Sequence, residues 1–137
     1  MRRFAILAAV AAVAAGCGSP KRDECRALMN VVNVTADRVE KAQASSMDPN
    51  GLRALADGVD KSVADVTALR FTIPDLDKQA KAYAALWRDI AKPSREMAAA
   101  GEARDRPKAE AAGDAMEKLV AQEPKLQGDL NRVCQQE

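Results

Sequence analysis

Histidine is absent from the 137-residue sequence, and with it the side chain that most often acts as a general base near neutral pH. The same absence excludes the Glu-x-x-His pairs of di-iron bundles and the Cys-x-x-Cys-His of a c-type haem site. No Gly-x-Ser-x-Gly turn and no glycine-rich phosphate loop occurs. Aromatics are scarce, with two Phe, one Tyr and one Trp, and no run alternates in the manner of a strand. A carboxylate-only metal site has no supporting pattern. These gaps read as a chain that is not an enzyme and carries no cofactor and no metal.

Charge of one sign is missing too. The 21 Lys and Arg against 20 Asp and Glu are mixed along the chain rather than blocked into a basic stretch. A phosphate binder needs such an electrostatic footprint, so nucleic acid is not an expected partner. Scattered charges of this kind coat the solvated faces of helices.

The beginning of the chain differs sharply from the rest. Arg2 and Arg3 precede an unbroken apolar run of 12 residues, Phe4 to Ala15, that ends in small side chains. As a helix that run spans about 18 Å, well short of the roughly 30 Å hydrocarbon core, which excludes a permanent span and leaves a signal peptide. Its end reads Val13-Ala14-Ala15-Gly16-Cys17. This segment resembles the lipobox of bacterial lipoproteins, with Ala14 where that pattern favours Leu; the resemblance covers residues 1–17 only. It implies removal of residues 1–16 and a diacylglyceryl group on the Cys17 thiol, with further acylation of the new amino group. The alternative is an ordinary cut after an Ala-x-Ala site. Two or three acyl chains, at about 0.8 kcal/mol per buried methylene, make attachment effectively permanent. Gly18 lacks the Asp that retains enterobacterial lipoproteins in the inner membrane, so the resemblance favours the outer membrane, with the domain in the periplasm or at the cell surface.

Loss of residues 1–16 removes Arg2 and Arg3 and leaves 19 basic against 20 acidic side chains, a net charge of −1. With Cys17 lipidated, Cys25 and Cys134 remain, in a compartment where disulfides persist, and a bond between them is expected. Closing about 110 residues restrains the unfolded chain by roughly 4–5 kcal/mol, a large part of a small domain's stability. A redox or metal pair is the alternative, and it needs a nearby second cysteine or a histidine that this sequence lacks.

Residues 17–20 are a short tether, and residues 21–137 read as one all-α domain. Ser19 caps a first helix over about 20–46, with Cys25, Leu28, Val32, Ala36 and Val39 inward. Asp48-Pro49 opens a second helix over 49–70, whose inward face carries Leu52, Leu55, Ala56, Val59, Val63, Val66 and Leu69. Thr72 and Asp75, in capping-box spacing around Pro74, start a third over 74–100. It carries Leu76, Ala80, Tyr83, Trp87 and Ile90, breaks at Pro93, and stops at Gly101. Asp105 and Pro107 start a fourth over 106–135, kinked at Pro124, with Ala109, Ala112, Met116, Leu119, Leu126, Leu130, Val133 and Cys134 inward. One apolar stripe per helix and short connections predict an antiparallel up-down-up-down four-helix bundle. Four helices, unlike three, bring Cys25 and Cys134 to the same end, next to Cys17.

Several features carry a functional reading beside a structural one. Tyr83 and Trp87, one turn apart, line a pocket for a small apolar ligand or lipid, or pack the core. Val31 and Val34 widen the apolar arc of the first helix, either as a docking face or because that helix is the most buried. Glu123 on the fourth stripe either faces inward, needing a partner, or is turned outward by the kink. Ala98 to Ala100, Ala111, Ala112 and Gly113 permit close helix approach or reflect helix propensity. The leading expectation is a membrane-anchored, non-enzymatic domain that contacts an envelope protein. The alternative is a ligand or lipid carrier.

Overall fold

A computed structural model describes residues 19–45 and 48–136, and all regular structure among them is helical. Cys17 and the proposed signal peptide lie outside the described residues. Five helical segments follow in order: α1 (Pro20–Ser45), α2 (Pro49–Ala68), α3 (Pro74–Glu102), α4 (Arg106–Val120) and α5 (Glu123–Gln135), the last two being halves of one interrupted helix.

Most starts follow from capping chemistry. The Ser19 hydroxyl accepts from the Arg22 amide at 3.2 Å. Asp48 accepts from the Gly51 amide at 2.8 Å and Asp105 from the Lys108 amide at 3.2 Å. Each of α2 to α5 has a proline in its first turn, where a missing N–H leaves no helix bond unmade. The start of α3 departs from expectation: its cap is Ile73, with no side-chain cap bond, so the Thr72–Asp75 box does not form. Glu24 of α1 does that work from outside. Its carboxylate accepts from the Thr72 amide at 2.9 Å, the Thr72 hydroxyl, and the Ile73 amide at 3.2 Å.

Pro93 does not break α3, which runs on to Glu102. The ring is buried, with Ile90 and Ala91 before it and Ser94 and Ala98 after it also buried. A proline costs a helix interior about 3 kcal/mol, and the burial of Leu86, Trp87 and Ile90 on the turns before it, at roughly 1.5–3 kcal/mol each, offsets that cost. The fourth helix, by contrast, is interrupted rather than kinked. α4 ends at Val120, the residue whose carbonyl the Pro124 ring would strike, and α5 begins at Glu123. Gly101 is not the stop either: the left-handed residue that turns the chain is Arg104, with φ of 54°. At Gly101 an added Cβ would lie 3.3 Å from Pro49 Cγ, so glycine there permits the end of α3 to pass close to the start of α2.

α3 is the central element, packing on α2 and α4 and, less extensively, on α5 and α1. It supplies Leu76, Tyr83, Leu86, Trp87 and Ile90 to a core completed by Leu28 and Val32, by Leu55, Val59 and Val66, and by Leu130. Three serine and threonine hydroxyls are buried in or beside this core, and each donates to the carbonyl four residues back: Thr35 to Val31 at 2.7 Å, Ser62 to Gly58 at 3.1 Å and Ser94 to Ile90 at 2.8 Å. Thr35 takes the inward place expected for Ala36, which is exposed. Arg38 crosses from α1 to α2, donating to Ser62 Oγ at 2.6 Å and to Asp65 Oδ2 at 3.1 Å. Cys25 and Cys134 are joined as a disulfide with Cα atoms 5.8 Å apart, closing 109 residues of chain.

Candidate functional site

Each residue singled out in the sequence has a definite place. Trp87 is 3% exposed and Tyr83 fully buried, their ring centroids 5.3 Å apart and tilted by 43°. The main grooves among the described residues are lined by neither of them. The Tyr83 hydroxyl and Gln79 Oε1, one turn apart on α3, are buried with no hydrogen-bond partner among the described residues. Burial pushes the Tyr83 hydroxyl up to about 12, and the negative charge of Glu123 adds to the shift. Glu123, at the start of α5, is half-buried.

Val31 and Val34 are not equivalent. Val31 is half-buried and packs on the core, whereas Val34 is 37% exposed. Met29, on the other flank of α1, is 38% exposed. Five residues apart on a helix, Met29 and Val34 point about 140° away from each other, so they belong to separate surfaces. The helix is not the most enclosed of the set: it packs mainly on α2 and only lightly on α3 and α5. Of the small residues, Ala98, Ala100 and Ala112 are buried, and Ala99, Ala100, Ala111 and Ala112 line an open groove between α3 and α4.

The disulfide end is the most distinctive surface. There α1 begins, α5 ends, and the Lys21 ammonium donates to the Gln136 carbonyl, tying the two ends together a second time. Beside the Cys25–Cys134 bond lies an open groove of about 970 Å³, lined by Lys21, Arg22, Arg26, Met29, Asn30 and Gln136 among others. In the sequence these cations average out in the net charge, although all three fall within six positions. On the opposite side of α1, the bonds from Thr72 and Ile73 hold the Glu24 carboxyl below the ordinary carboxylate value, the Thr72 hydroxyl having the largest effect.

Among the described residues, no three acidic or cysteine side chains converge in a way that would hold a metal ion. No described helix is long and apolar enough to cross a membrane. Comparison of the chain with protein-family models, with curated proteins and with solved structures finds no match.

Proposed function

We propose that this chain is a non-enzymatic lipoprotein of the bacterial cell envelope, held to a membrane by lipid on Cys17 and acting by contact with another envelope protein. The observation that carries the reading is the run from Arg2 through 12 apolar residues to Val13-Ala14-Ala15-Gly16-Cys17. The disulfide supports export, since such bonds persist outside a reducing cytoplasm. Gly18 favours the outer membrane. Val34 is an exposed apolar residue of α1 offered to the partner, with Val31 beside it packed on the core. Tyr83 and Trp87 pack on one another inside the core, so the carrier reading has no observation in its favour.

The helices are proposed to alternate in direction, up-down-up-down. In support, Arg53 near the start of α2 pairs with Glu102 at the end of α3 at 2.6 Å. Farther along, Asp57 and Asp60 of α2 meet Arg95 of α3 at 2.9 and 2.6 Å. Cys25 near the start of α1 is joined to Cys134 near the end of α5.

The anchor is tested by feeding cells an alkyne-bearing palmitate. The parent chain should take the label and sediment with membranes. Cys17→Ser should take none and keep its leader. A labelled Cys17→Ser chain refutes the assignment. Crosslinking in the same cells should capture a protein partner that Val34→Asp releases.

A further inference from the structure

The groove at the disulfide end gathers three cations and no acid among its lining residues. Elsewhere the arginines that link helices are matched: Arg38 with Asp65, Arg53 with Glu102, Arg95 with Asp57 and Asp60. In the groove, Lys21, Arg22 and Arg26 gather with two asparagines and two glutamines, and no carboxylate among the described residues lines it. The Arg22 and Arg26 guanidinium groups make no ion pair among the described residues. They stand one turn apart on the outer flank of α1, and the exposed Met29 continues the same flank. Glu24, the nearest acid toward α3, is committed to capping that helix. Asp23, three residues before Arg26 on α1, makes no ion pair among the described residues and does not line the groove, and Asp129 is occupied by Lys125 and Arg132.

What covers this groove is indicated by where the chain leads. Two peptide steps separate Ser19, at its rim, from Cys17, a reach of less than about 8 Å. Lipid on Cys17 therefore holds the groove at the depth of the bilayer headgroups. Guanidinium groups match phosphate oxygens two bonds at a time, the Lys21 ammonium adds a positive charge held in place by the Gln136 carbonyl, and the Met29 thioether suits the boundary with the acyl chains. We propose that this groove seats anionic phospholipid headgroups, so that the domain lies with the outer flank of α1 against the membrane instead of swinging on its tether. This rests on the lipid-anchor reading. Val34 lies about 120° round α1 from Arg22, beyond the lining of the groove, and stays open to a protein.

The test uses the lipidated protein purified from its own membranes, with its intact mass read first. It is reconstituted into vesicles of phosphatidylcholine, or of equal parts phosphatidylcholine and phosphatidylglycerol. Arginine reactivity toward phenylglyoxal is then mapped residue by residue by mass spectrometry. One basic residue beside an anionic surface shifts the docking equilibrium by about fivefold. Arg22 and Arg26 should therefore react at least about fivefold more slowly on the anionic vesicles, while Arg104 in the α3–α4 turn is unchanged. Lys21→Gln should return most of that reactivity, as should raised salt. An acylated protein whose Arg22 and Arg26 react equally on both vesicles overturns the groove and leaves the anchor standing. A mass without acyl groups overturns both.

Discussion

Replacing Cys25 and Cys134 together by alanine removes a bond that closes 109 residues. Both must change, because one orphaned thiol is free to pair with Cys17 in any molecule that escapes lipidation. In the loop-entropy treatment a closure of this length restrains the unfolded chain by about 4.8 kcal/mol at room temperature. Small domains are stable by roughly 5–15 kcal/mol, so the bond supplies between a third and nearly all of the total. Native packing compensates poorly at this end, because α5 contributes Leu130 as its one buried residue and only half-buried Leu126 and Val133 beside it. With a urea slope of about 2 kcal/mol per molar, the unfolding midpoint should fall by roughly 2.4 M. Far-ultraviolet circular dichroism and Trp87 fluorescence would follow the transition. Hydrogen exchange in the variant should quicken in α5 before α2 or α3. A midpoint lowered by less than about 0.5 M, or exchange that quickens evenly, refutes the claim that the bond acts by restraining the unfolded chain and pinning α5.

Three further outcomes follow from particular side chains. The Glu24 carboxyl titrates below its ordinary 4.5, so what it contributes to stability is complete above that value and is lost as the pH falls through its lower folded value. Glu24→Gln should therefore melt below the parent at neutral pH, the two melting temperatures converging as the pH drops beneath 4.5. Tyr83 is the single tyrosine, so its ultraviolet titration is unobstructed; the folded protein should ionise near 12 rather than 10 and lose stability as the pH rises between those values. Its hydroxyl lacks a partner among the described residues, and an unpaired buried polar group costs about 1–3 kcal/mol. Tyr83→Phe should then raise stability by about 1 kcal/mol in the same urea assay, and a fall of that size shows instead a bound water bridging Tyr83 and Gln79. Trp87→Ala should cost about 3–5 kcal/mol, whereas a loss under about 1 kcal/mol would remove Trp87 from the core.

The parts legible in the sequence are those governed by local rules. Asp48 and Asp105 cap the helices they were expected to cap, because an aspartate before a first-turn proline has one main use. The α2 stripe from Leu52 to Val66 is buried as its spacing predicts, since a lone leucine–valine stripe on a polar helix has one way to face. Most of the failures are tertiary. Thr35, Ser62 and Ser94 read as polar, yet each satisfies its hydroxyl within its own helix and can be buried. Pro93 reads as a break, yet the side chains buried on the turns before it offset its cost and α3 runs on. The Thr72–Asp75 box gave way to Glu24, 48 residues earlier, which no local spacing encodes. The basic groove lies between these cases: its cations are adjacent in sequence, but the lack of opposing acids emerges only once α5 is brought alongside α1.

The covalent link between the first turns of α1 and the last of α5 also decides how the domain responds to being pulled. Tension applied between the two chain ends runs through Cys25, across the sulfurs and out past Cys134, entering only a few residues at each terminus. The chain between them, 109 positions from one cysteine to the other, sits on a side loop that carries no load. A protein anchored by its beginning and grasped near its end would thus behave as a short covalent strap, with its helices undisturbed until that bond is reduced.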